Sequence, residues 1–320
     1  MARPEPFLFT ASDGQRLSAT LFSPESGQEL GLVAVINAGA GIPAAYYRAF
    51  AAGLADRGVV TMIYDYRGIG RSRPKHLRGY KASIKDWGEF DAPAALTWLR
   101  DAYPHRRRAV IGHSIGAFLI GFVQDPTLVD RIAVIGGHTG YWRDYARWAR
   151  PLMWSMWHAV MPAVTWTLGY FPARRFGLPA DLPAGVAYDW AARTRPDFRR
   201  NFRRADGSLD VVRHDQVEAR FRALRADALS LTFSDDPFAT NAGASRLRAL
   251  LSGCRFEERK IDARSSSLGK IGHFGYFRKS ARETLWPLVM DWLVAAAGPA
   301  AAARALPERE PSLHDGRIGT

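Results

Sequence analysis

The sequence predicts an α/β fold in which a mostly parallel central sheet is flanked by helices. Short apolar runs rich in β-branched residues alternate along the chain with amphipathic stretches of helical length. The chain has 320 residues, of which 47% are hydrophobic and 23% are charged, an ordinary globular composition. A chain of this size and composition buries a large core, which excludes coiled-coil, collagen-like and disordered classes.

Each predicted element rests on a local pattern. An Asp13-Gly14 turn signal between two apolar runs indicates a hairpin, and Gly58 ends the first helix. In chain order the elements are strands 7–10, 17–22 and 32–36, helix 46–57, strand 59–64, helix 91–101, strand 109–112, helix 115–123, strand 131–136, strands 229–233 and 255–261, and helix 283–297.

The alternation of strand and helix patterns is interrupted once along the chain, and this interruption defines the domain organisation. Residues 1–137 and 226–297 form the two parts of one α/β core. Residues 138–225, rich in Trp and then in Arg, form a helical insertion without strands. Residues 298–320, rich in Ala, Pro and charge, are expected to be a disordered tail.

Charge and cysteine content limit the classes of partner and the cellular compartment that the sequence is compatible with. The net charge is +13, and the basic residues are spread along the chain without a nucleic-acid-binding motif, so no nucleic-acid partner is predicted. Cys254 is the single cysteine, which excludes an internal disulfide. The N-terminal residues contain no apolar signal-like stretch. These features favour a cytoplasmic location.

Residues 109–117, AVIGHSIGA, combine an apolar strand, a G-x-S-x-G motif and the start of an apolar helix. A serine hydroxyl is a weak nucleophile, so it must be exposed on a sharp turn beside a base, and the flanking glycines give that turn room. Ser114 is therefore the predicted nucleophile, between Gly112 and Gly116. The same turn aims the amide of Ile115 at the position where an oxyanion would form.

With this motif, the sequence resembles the α/β-hydrolase superfamily from residue 7 to residue 297. Residues 65–72, DYRGIGRS, match the family's D-x-R-G-x-G-x-S turn after the fourth strand. The insertion 138–225 lies where many members carry a lid between strands 6 and 7. The pattern is similar to that of predicted hydrolases near the monoacylglycerol-lipase and serine-aminopeptidase branch. The resemblance implies the α/β-hydrolase fold and a Ser-His-Asp catalytic triad.

The triad partners are expected after the last two strands of the sheet. In this fold the order along the chain is Ser, Asp or Glu, then His. His273 follows the strand that ends near residue 261 and is the predicted base. Asp235 and Asp236 both follow strand 229–233. The register of the family loop favours Asp236 as the acid and leaves Asp235 as a solvated or capping residue.

The second oxyanion donor is expected in the loop after strand 32–36. Relatives usually have His-Gly there, whereas this sequence has Asn37, followed by Gly39 and Gly41. Aligning Asn37 with the usual histidine makes the backbone amide of Gly39 the predicted donor, because a backbone donor does not need the missing side chain. The alternative is that the glycines only permit a tight turn.

Two other histidines lie near the predicted site. His113 should pack beneath the nucleophile. His138 follows the sixth strand and is a candidate substrate contact, with a structural hydrogen bond as the alternative. No histidine pair has metal-ligand spacing together with a third ligand, so neither a metal nor another cofactor is predicted.

The insertion is expected to cover the active site. Residues 152–171 carry no charged side chain and are long enough to span a membrane. Lid helices are favoured because the flanking strands belong to one sheet and Pro162 divides the segment. Trp154, Trp157 and Trp166 are candidates for an apolar acyl pocket, with packing inside the lid as the alternative.

The Arg-rich second part of the insertion has two interpretations. Ten arginines fall within residues 191–225. The default interpretation is a solvated helix face. The alternative is weak association of the lid with an anionic membrane surface.

Together these features predict a serine hydrolase that cleaves carboxylic esters of apolar acyl groups through a covalent acyl-enzyme. Amides and thioesters remain open as substrates. An acyltransferase would use the same triad and pass the acyl group to an alcohol or an amine. A non-catalytic binding protein would retain only the fold. The sequence leaves the oligomeric state open.

Overall fold

The computed structural model describes residues 3–25, 27–204 and 206–295. The tail predicted at 298–320 lies outside these residues. The strands of the described chain are β1 (Arg3–Thr10), β2 (Arg16–Ser23), β3 (Leu32–Asn37), β4 (Val60–Tyr64), β5 (Arg107–His113), β6 (Arg131–Ile135), β7 (Tyr170–Phe171), β8 (Leu182–Pro183), β9 (Asp227–Phe233) and β10 (Arg255–Ile261).

Eight of these strands form one sheet in the order β1-β2-β4-β3-β5-β6-β9-β10. The β1–β2 and β2–β4 pairs are antiparallel, and every pair from β4 to β10 is parallel. All residues of β3, β4 and β6 are buried. Because successive side chains of a strand point to opposite faces, both faces of the sheet are covered. This architecture confirms the predicted fold class.

Helices connect the parallel strands and cover the sheet. They are α1 (Arg48–Ala55), α2 (Ile84–Asp86), α3 (Ala92–Ala102), α4 (Ile115–Leu119), α5 (Arg150–Ser155), α6 (Met161–Leu168), α7 (Ala184–Ala191), α8 (Val211–Ala223), α9 (Asn241–Leu250) and α10 (Trp286–Ala295). A capping box starts α2, in which the Ser83 hydroxyl and the Asp86 carboxylate each accept the other residue's amide.

The strand order determines where a site can form. β3 lies between β4 and β5, so the chain moves to one side of β3 and then returns to the other. The loops that leave the carboxyl ends of neighbouring parallel strands diverge at such a point and open a crevice. The loops after β3, β5, β6 and β9 therefore lie side by side at one edge of the sheet.

The segment between β6 and β9 contains α5 to α8 together with a small antiparallel pair of strands, β7 and β8. The prediction that this insertion has no strands is therefore wrong. Each of these strands has two residues, which is too short to give an alternating pattern in the sequence. A π-helical turn, Met156–Val160, joins α5 to α6, so residues 150–168 form one continuous helix.

None of the helices in the described residues is both long and apolar enough to cross a membrane.

Candidate active site

Ser114 lies on a strained turn between β5 and α4. Its φ of 56° is the only positive value among the non-glycine residues that the structure describes. A Cβ at Gly112 would lie 2.4 Å from the Cα of Ala117, and one at Gly116 would lie 2.2 Å from the carbonyl oxygen of Asn37. Only glycine fits at both positions. The turn has the strained strand-to-helix geometry of a nucleophile elbow.

Ser114, His138 and His273 line one pocket of about 60 Å³. The rest of its lining is apolar and includes Trp157 and Trp190 from the insertion. The three polar side chains come from the loops after β5, β6 and β10. The fold therefore brings together one nucleophilic and two basic groups in a largely dry environment.

His273 is paired with Asp236. The Nδ1 of His273 lies 2.8 Å from Oδ2 of Asp236, and the other carboxylate oxygen accepts hydrogen bonds from the amides of Phe238 (2.8 Å) and Ala239 (3.0 Å). Burial alone would raise the pKa of Asp236, but the charge and hydrogen bond of His273 and the two amides outweigh it and lower the pKa. Asp236 is therefore an ionised partner that keeps the Nδ1 proton on His273 and leaves Nε2 as an acceptor.

Asp235 supports the same histidine through the backbone. Its carboxylate accepts hydrogen bonds from the amides of Ile271 and Gly272, each at 2.9 Å. These two residues directly precede His273. Asp235 therefore caps the loop that carries the base, and it does not compete with Asp236 for the imidazole.

His138 is in contact with the predicted nucleophile. Its Nε2 lies 3.2 Å from Oγ of Ser114, and its Nδ1 accepts a hydrogen bond from the amide of Gly140 at 3.0 Å. Burial, followed by the nearby charge of His273, lowers the pKa of His138 to about 3, so its ring is neutral at physiological pH. A neutral imidazole that accepts at Nδ1 carries its proton on Nε2. His138 therefore donates to Ser114 Oγ and cannot accept the hydroxyl proton.

Arg193 holds the loop that carries His138. This buried guanidinium donates a hydrogen bond to the carbonyl of Thr139 and lies over the ring of Phe118 at 4.4 Å. Burial lowers the pKa of Arg193 to about 10, which leaves it charged at neutral pH. Its charge is one of the influences that keep His138 neutral.

A hydrogen-bonded chain runs beneath the nucleophile. The amide of Gly39 donates to the hydroxyl oxygen of Tyr47 (2.9 Å), and this hydroxyl donates to Nδ1 of His113 (2.7 Å). The Nε2 of His113 then donates to the carbonyl of His273 (2.9 Å). Burial lowers the pKa of His113 to about 3. His113 is therefore a neutral packing residue, as expected, and it fixes the backbone of the base.

The amides of Ile115 and Gly39, the predicted oxyanion donors, differ in their hydrogen bonding. In the described part of the chain, the Ile115 amide has no hydrogen-bond acceptor and is free to donate. The Gly39 amide is engaged by Tyr47, although Gly39 lies against Ser114, with a built Cβ 3.3 Å from the serine Cβ. The neighbouring amide of Ala40, which lines the pocket, has no acceptor among the described residues. Ala40 is therefore a further candidate donor beside Gly39, which the sequence did not indicate.

The structure corrects the prediction for two of the three tryptophans. Trp157 lines the pocket. Trp154 and Trp166 do not, because they are 46% and 81% exposed on the outside of the insertion.

One group of three potential metal ligands occurs in the described residues, and it lies outside the pocket. His214, Asp215 and Glu218 are on α8, where Nδ1 of His214 is already bonded to Asp215 at 2.8 Å. Nothing in its geometry links the group to Ser114, and the expectation that no metal is needed stays a prediction.

Comparison with known families and structures agrees with the fold. A family sequence model described as alpha/beta hydrolase fold matches residues 31–277. No curated protein sequence gives a significant match.

Solved structures similar to this chain include two esterases and a peptidase. An esterase from Pyrococcus furiosus is 14% identical, with a TM-score of 0.58, over 92% of this chain and 91% of that one. An esterase from Exiguobacterium antarcticum is 16% identical, with a TM-score of 0.58, over 90% and 99%. An acylaminoacyl peptidase from Pyrococcus horikoshii is 14% identical, with a TM-score of 0.54, over 92% and 41%. At such low identity, the likeness establishes the fold.

Proposed function

The chain belongs to the α/β-hydrolase family and is an enzyme of the hydrolase class, and on that premise we propose that it is a serine hydrolase that cleaves carboxylic esters of apolar acids. The observation that carries the proposal is the strained elbow serine, Ser114, in one apolar pocket with the hydrogen-bonded pair His273–Asp236. The acid, the base and the nucleophile follow the chain order of this fold.

Support for His273 as the base comes from the protonation of the two histidines that border Ser114. The Gly140 amide fixes the proton of His138 on Nε2, so His138 can only donate to Oγ. Asp236 fixes the proton of His273 on Nδ1, which leaves its Nε2 to accept. Within the described residues Ser114 Oγ is hydrogen-bonded only to His138. The serine proton must therefore turn toward His273 when substrate binds, as catalytic hydrogen bonds often tighten only in the complex.

The reaction then takes place in two balanced halves. His273 accepts the hydroxyl proton while Oγ of Ser114 attacks the ester carbonyl, and the resulting imidazolium is stabilised by Asp236. When the tetrahedral adduct collapses, the C–O bond to the alcohol breaks and the imidazolium protonates the departing alkoxide. Water repeats the sequence on the acyl-enzyme and releases the acid. The oxyanion accepts hydrogen bonds from the Ile115 amide and from a second amide, that of Ala40 or of Gly39.

The size of the pocket limits the length of the acyl group that fits without a change in the structure. Its volume is about 60 Å³, whereas a dry apolar cavity of about 150 Å³ binds one benzene molecule. Short acyl groups fit the pocket as it stands. Longer apolar chains require the helix 150–168, which contributes Trp157 and Met161 to the lining, to shift outward. The segment 138–225 therefore acts as the lid of this site in our proposal.

A panel of p-nitrophenyl esters from acetyl to dodecanoyl tests the proposal. The wild-type enzyme should hydrolyse the esters, and Ser114→Ala should lower the activity by on the order of 10⁴-fold or more with an unchanged fold. Ser245→Ala, at an exposed serine, is the matched control and should retain full activity. Folded wild-type protein that is inactive on every ester, or a fully active Ser114→Ala variant, would refute the proposal.

A further inference from the structure

The outer face of the helix 150–168 is apolar and uncovered. Trp148, just before the helix, is 76% exposed, Leu152 is 60% exposed and Trp166 is 81% exposed. The exposed positions between Leu152 and Trp166 include Ser155, Ala159 and Ala163, so the face carries no charge along its length. Large side chains exposed together on one face usually mark an interaction site. We call this face the outer stripe.

The formal charges within the segment that carries the outer stripe are all positive. Residues 145–180 contain no Asp or Glu, and their cations are Arg147, Arg150, Arg174 and Arg175. A further arginine, Arg78, lies at the end of the helix, where it donates to the carbonyls of Leu168 (3.0 Å) and Thr167 (3.3 Å). Cations thus stand at both ends of the helix.

Three of these cations have no acidic partner. Arg147, Arg174 and Arg175 are exposed and form no salt bridge with any acid in the described ranges. Of the nearest acids in sequence, Asp144 is paired with Arg246, and Asp181 is paired with Arg73. The Oδ1 of Asp181 also accepts a hydrogen bond from the backbone amide of Arg174 (3.1 Å), but its carboxylate forms no salt bridge with the guanidinium of Arg174 in the described residues. The region therefore combines free positive charge with exposed indole rings.

We propose that the outer stripe docks the enzyme on the surface of a membrane that contains anionic lipids. The tryptophans and Leu152 would enter the headgroup region, where indole rings are favoured, and the arginines would lie against lipid phosphates. The helix lies flat in this arrangement, as an amphipathic element of the interface. This proposal goes beyond the proposed function and does not depend on the triad assignment.

Charge decides between a bilayer and a second copy of the chain as the occupant. A two-fold contact through the outer stripe would bring the same patch of both copies together. The arginines of one copy would then face those of the other, with no acid in residues 145–180 to balance them. An anionic lipid surface supplies the missing negative charge.

Docking would also orient the active site. The opposite face of the same helix brings Trp157 and Met161 into the pocket of Ser114. The helix therefore separates the pocket from the bilayer by one helix diameter, about 10 Å. Apolar esters dissolved in the lipid would be presented next to the acyl site.

Vesicle co-sedimentation tests the apolar part of the proposal. The full chain should bind vesicles of phosphatidylcholine with 30% phosphatidylglycerol at least tenfold more tightly than pure phosphatidylcholine vesicles. The double variant Trp148→Ser/Trp166→Ser should lose at least tenfold of this affinity, whereas Val212→Ser, at a 64% exposed residue of α8, should retain it. Equal binding by the double variant, or no binding by the wild type, would overturn the proposal.

Neutralisation of the arginines tests the electrostatic part. Replacing Arg147, Arg174 and Arg175 with Gln should weaken binding to the anionic vesicles by about fivefold per arginine at low salt. The matched triple variant of Arg199, Arg203 and Arg222, in the Arg-rich segment, should bind as the wild type does. A larger loss in this second variant would move the lipid-binding surface there and reject the outer stripe.

Two further readouts separate the remaining outcomes. Hydrolysis of a soluble acetyl ester should be unchanged in the outer-stripe variants, so a failure of docking and a failure of the proposed function are distinguishable. Sedimentation velocity should give the same mass for wild type and for the Trp148→Ser/Trp166→Ser variant. A wild-type dimer that the double variant abolishes would mean that a second copy covers the outer stripe, and the membrane proposal would fall.

Discussion

Replacement of His138 tests which of the two histidines beside Ser114 removes the hydroxyl proton. The Gly140 amide keeps the proton of His138 on Nε2, which donates to Ser114 Oγ over 3.2 Å. His138→Phe removes this donor and retains a planar ring. His138→Gln keeps an N–H donor near the position of Nε2. The two variants therefore differ mainly in one hydrogen bond.

The expected loss of activity differs by orders of magnitude between a residue that only donates a hydrogen bond to Ser114 and a residue that acts as the base. A neutral hydrogen bond contributes about 0.5–1.5 kcal/mol net, and each 1.36 kcal/mol is tenfold in rate. His138→Phe should therefore lower kcat/KM by about 2- to 13-fold, and His138→Gln by less. Loss of a triad base costs on the order of 10⁶-fold in kcat, which is the loss expected for His273→Gln.

Steady-state hydrolysis of p-nitrophenyl acetate, with active sites counted by fluorophosphonate titration, measures these differences. Thermal unfolding of each variant identifies losses that come from misfolding. The reasoning would be refuted if His138→Phe fell by 10⁴-fold while His273→Gln kept most of the activity. If His138→Gln were as impaired as His138→Phe, the hydrogen-bond donor would not be the property that matters.

Three further perturbations probe the surroundings of the site. Asp236→Asn should lower kcat by on the order of 10³- to 10⁴-fold, whereas Asp235→Asn should chiefly lower the melting temperature, because its carboxylate holds only loop amides; a larger kcat loss for Asp235→Asn would reassign the acid. Tyr47→Phe leaves Nδ1 of His113 and the backbone amide of Gly39 without a hydrogen-bond partner, which should cost about 1–3 kcal/mol of stability for each group. The urea midpoint should therefore fall, and an unchanged midpoint would contradict the hydrogen-bonded chain through Tyr47 and His113. Burial lowers the pKa of His113 and of His138 from 6.5 to about 3. The stability that each neutral ring contributes is therefore complete above pH 6.5 and is lost as the pH falls toward 3. Lowering the pH from 7 to 5 should reduce the free energy of unfolding by about 2 kcal/mol for each histidine. In urea titrations, the free energy of unfolding of His138→Gln should depend less on pH than that of the wild type. An identical pH dependence in the variant would contradict the lowered pKa of His138.

The parts of the site that lie within short segments could be predicted from the sequence. The elbow around Ser114 is a strand, a turn and a helix in nine residues, and each step has a physical requirement that a pattern reveals. The same holds for the strands of the sheet, whose apolar runs are continuous because both faces are buried. Parallel pairing then brings the loops after these strands to one edge.

Contacts between distant segments that no family motif covers could not be predicted. The bond between His113 and the carbonyl of His273 joins residues 160 positions apart. The contact of His138 with Ser114 depends on the turn at Gly140, which fixes a ring tautomer that no sequence pattern encodes. These interactions decide which histidine can act as the base.

The sequence also could not predict which way each side chain of the helix 150–168 points. Its composition indicates many tryptophans, but the direction of each depends on the helix register, and the π-helical turn Met156–Val160 shifts that register within the helix. Trp157 consequently faces the pocket, while Trp166 faces outward. Composition could predict an apolar lid without predicting which side chains line the acyl site.

Peptide mapping after fluorophosphonate labelling tests most directly the claim that Ser114 is an activated nucleophile. Wild-type protein at pH 8 should carry one adduct, located by mass spectrometry on Ser114, and labelling should fall sharply in His273→Gln while the amount of folded protein stays constant. Only a serine activated by a neighbouring base reacts readily with such a probe. An adduct on a different residue, or folded wild-type protein that remains unlabelled, would contradict the assignment.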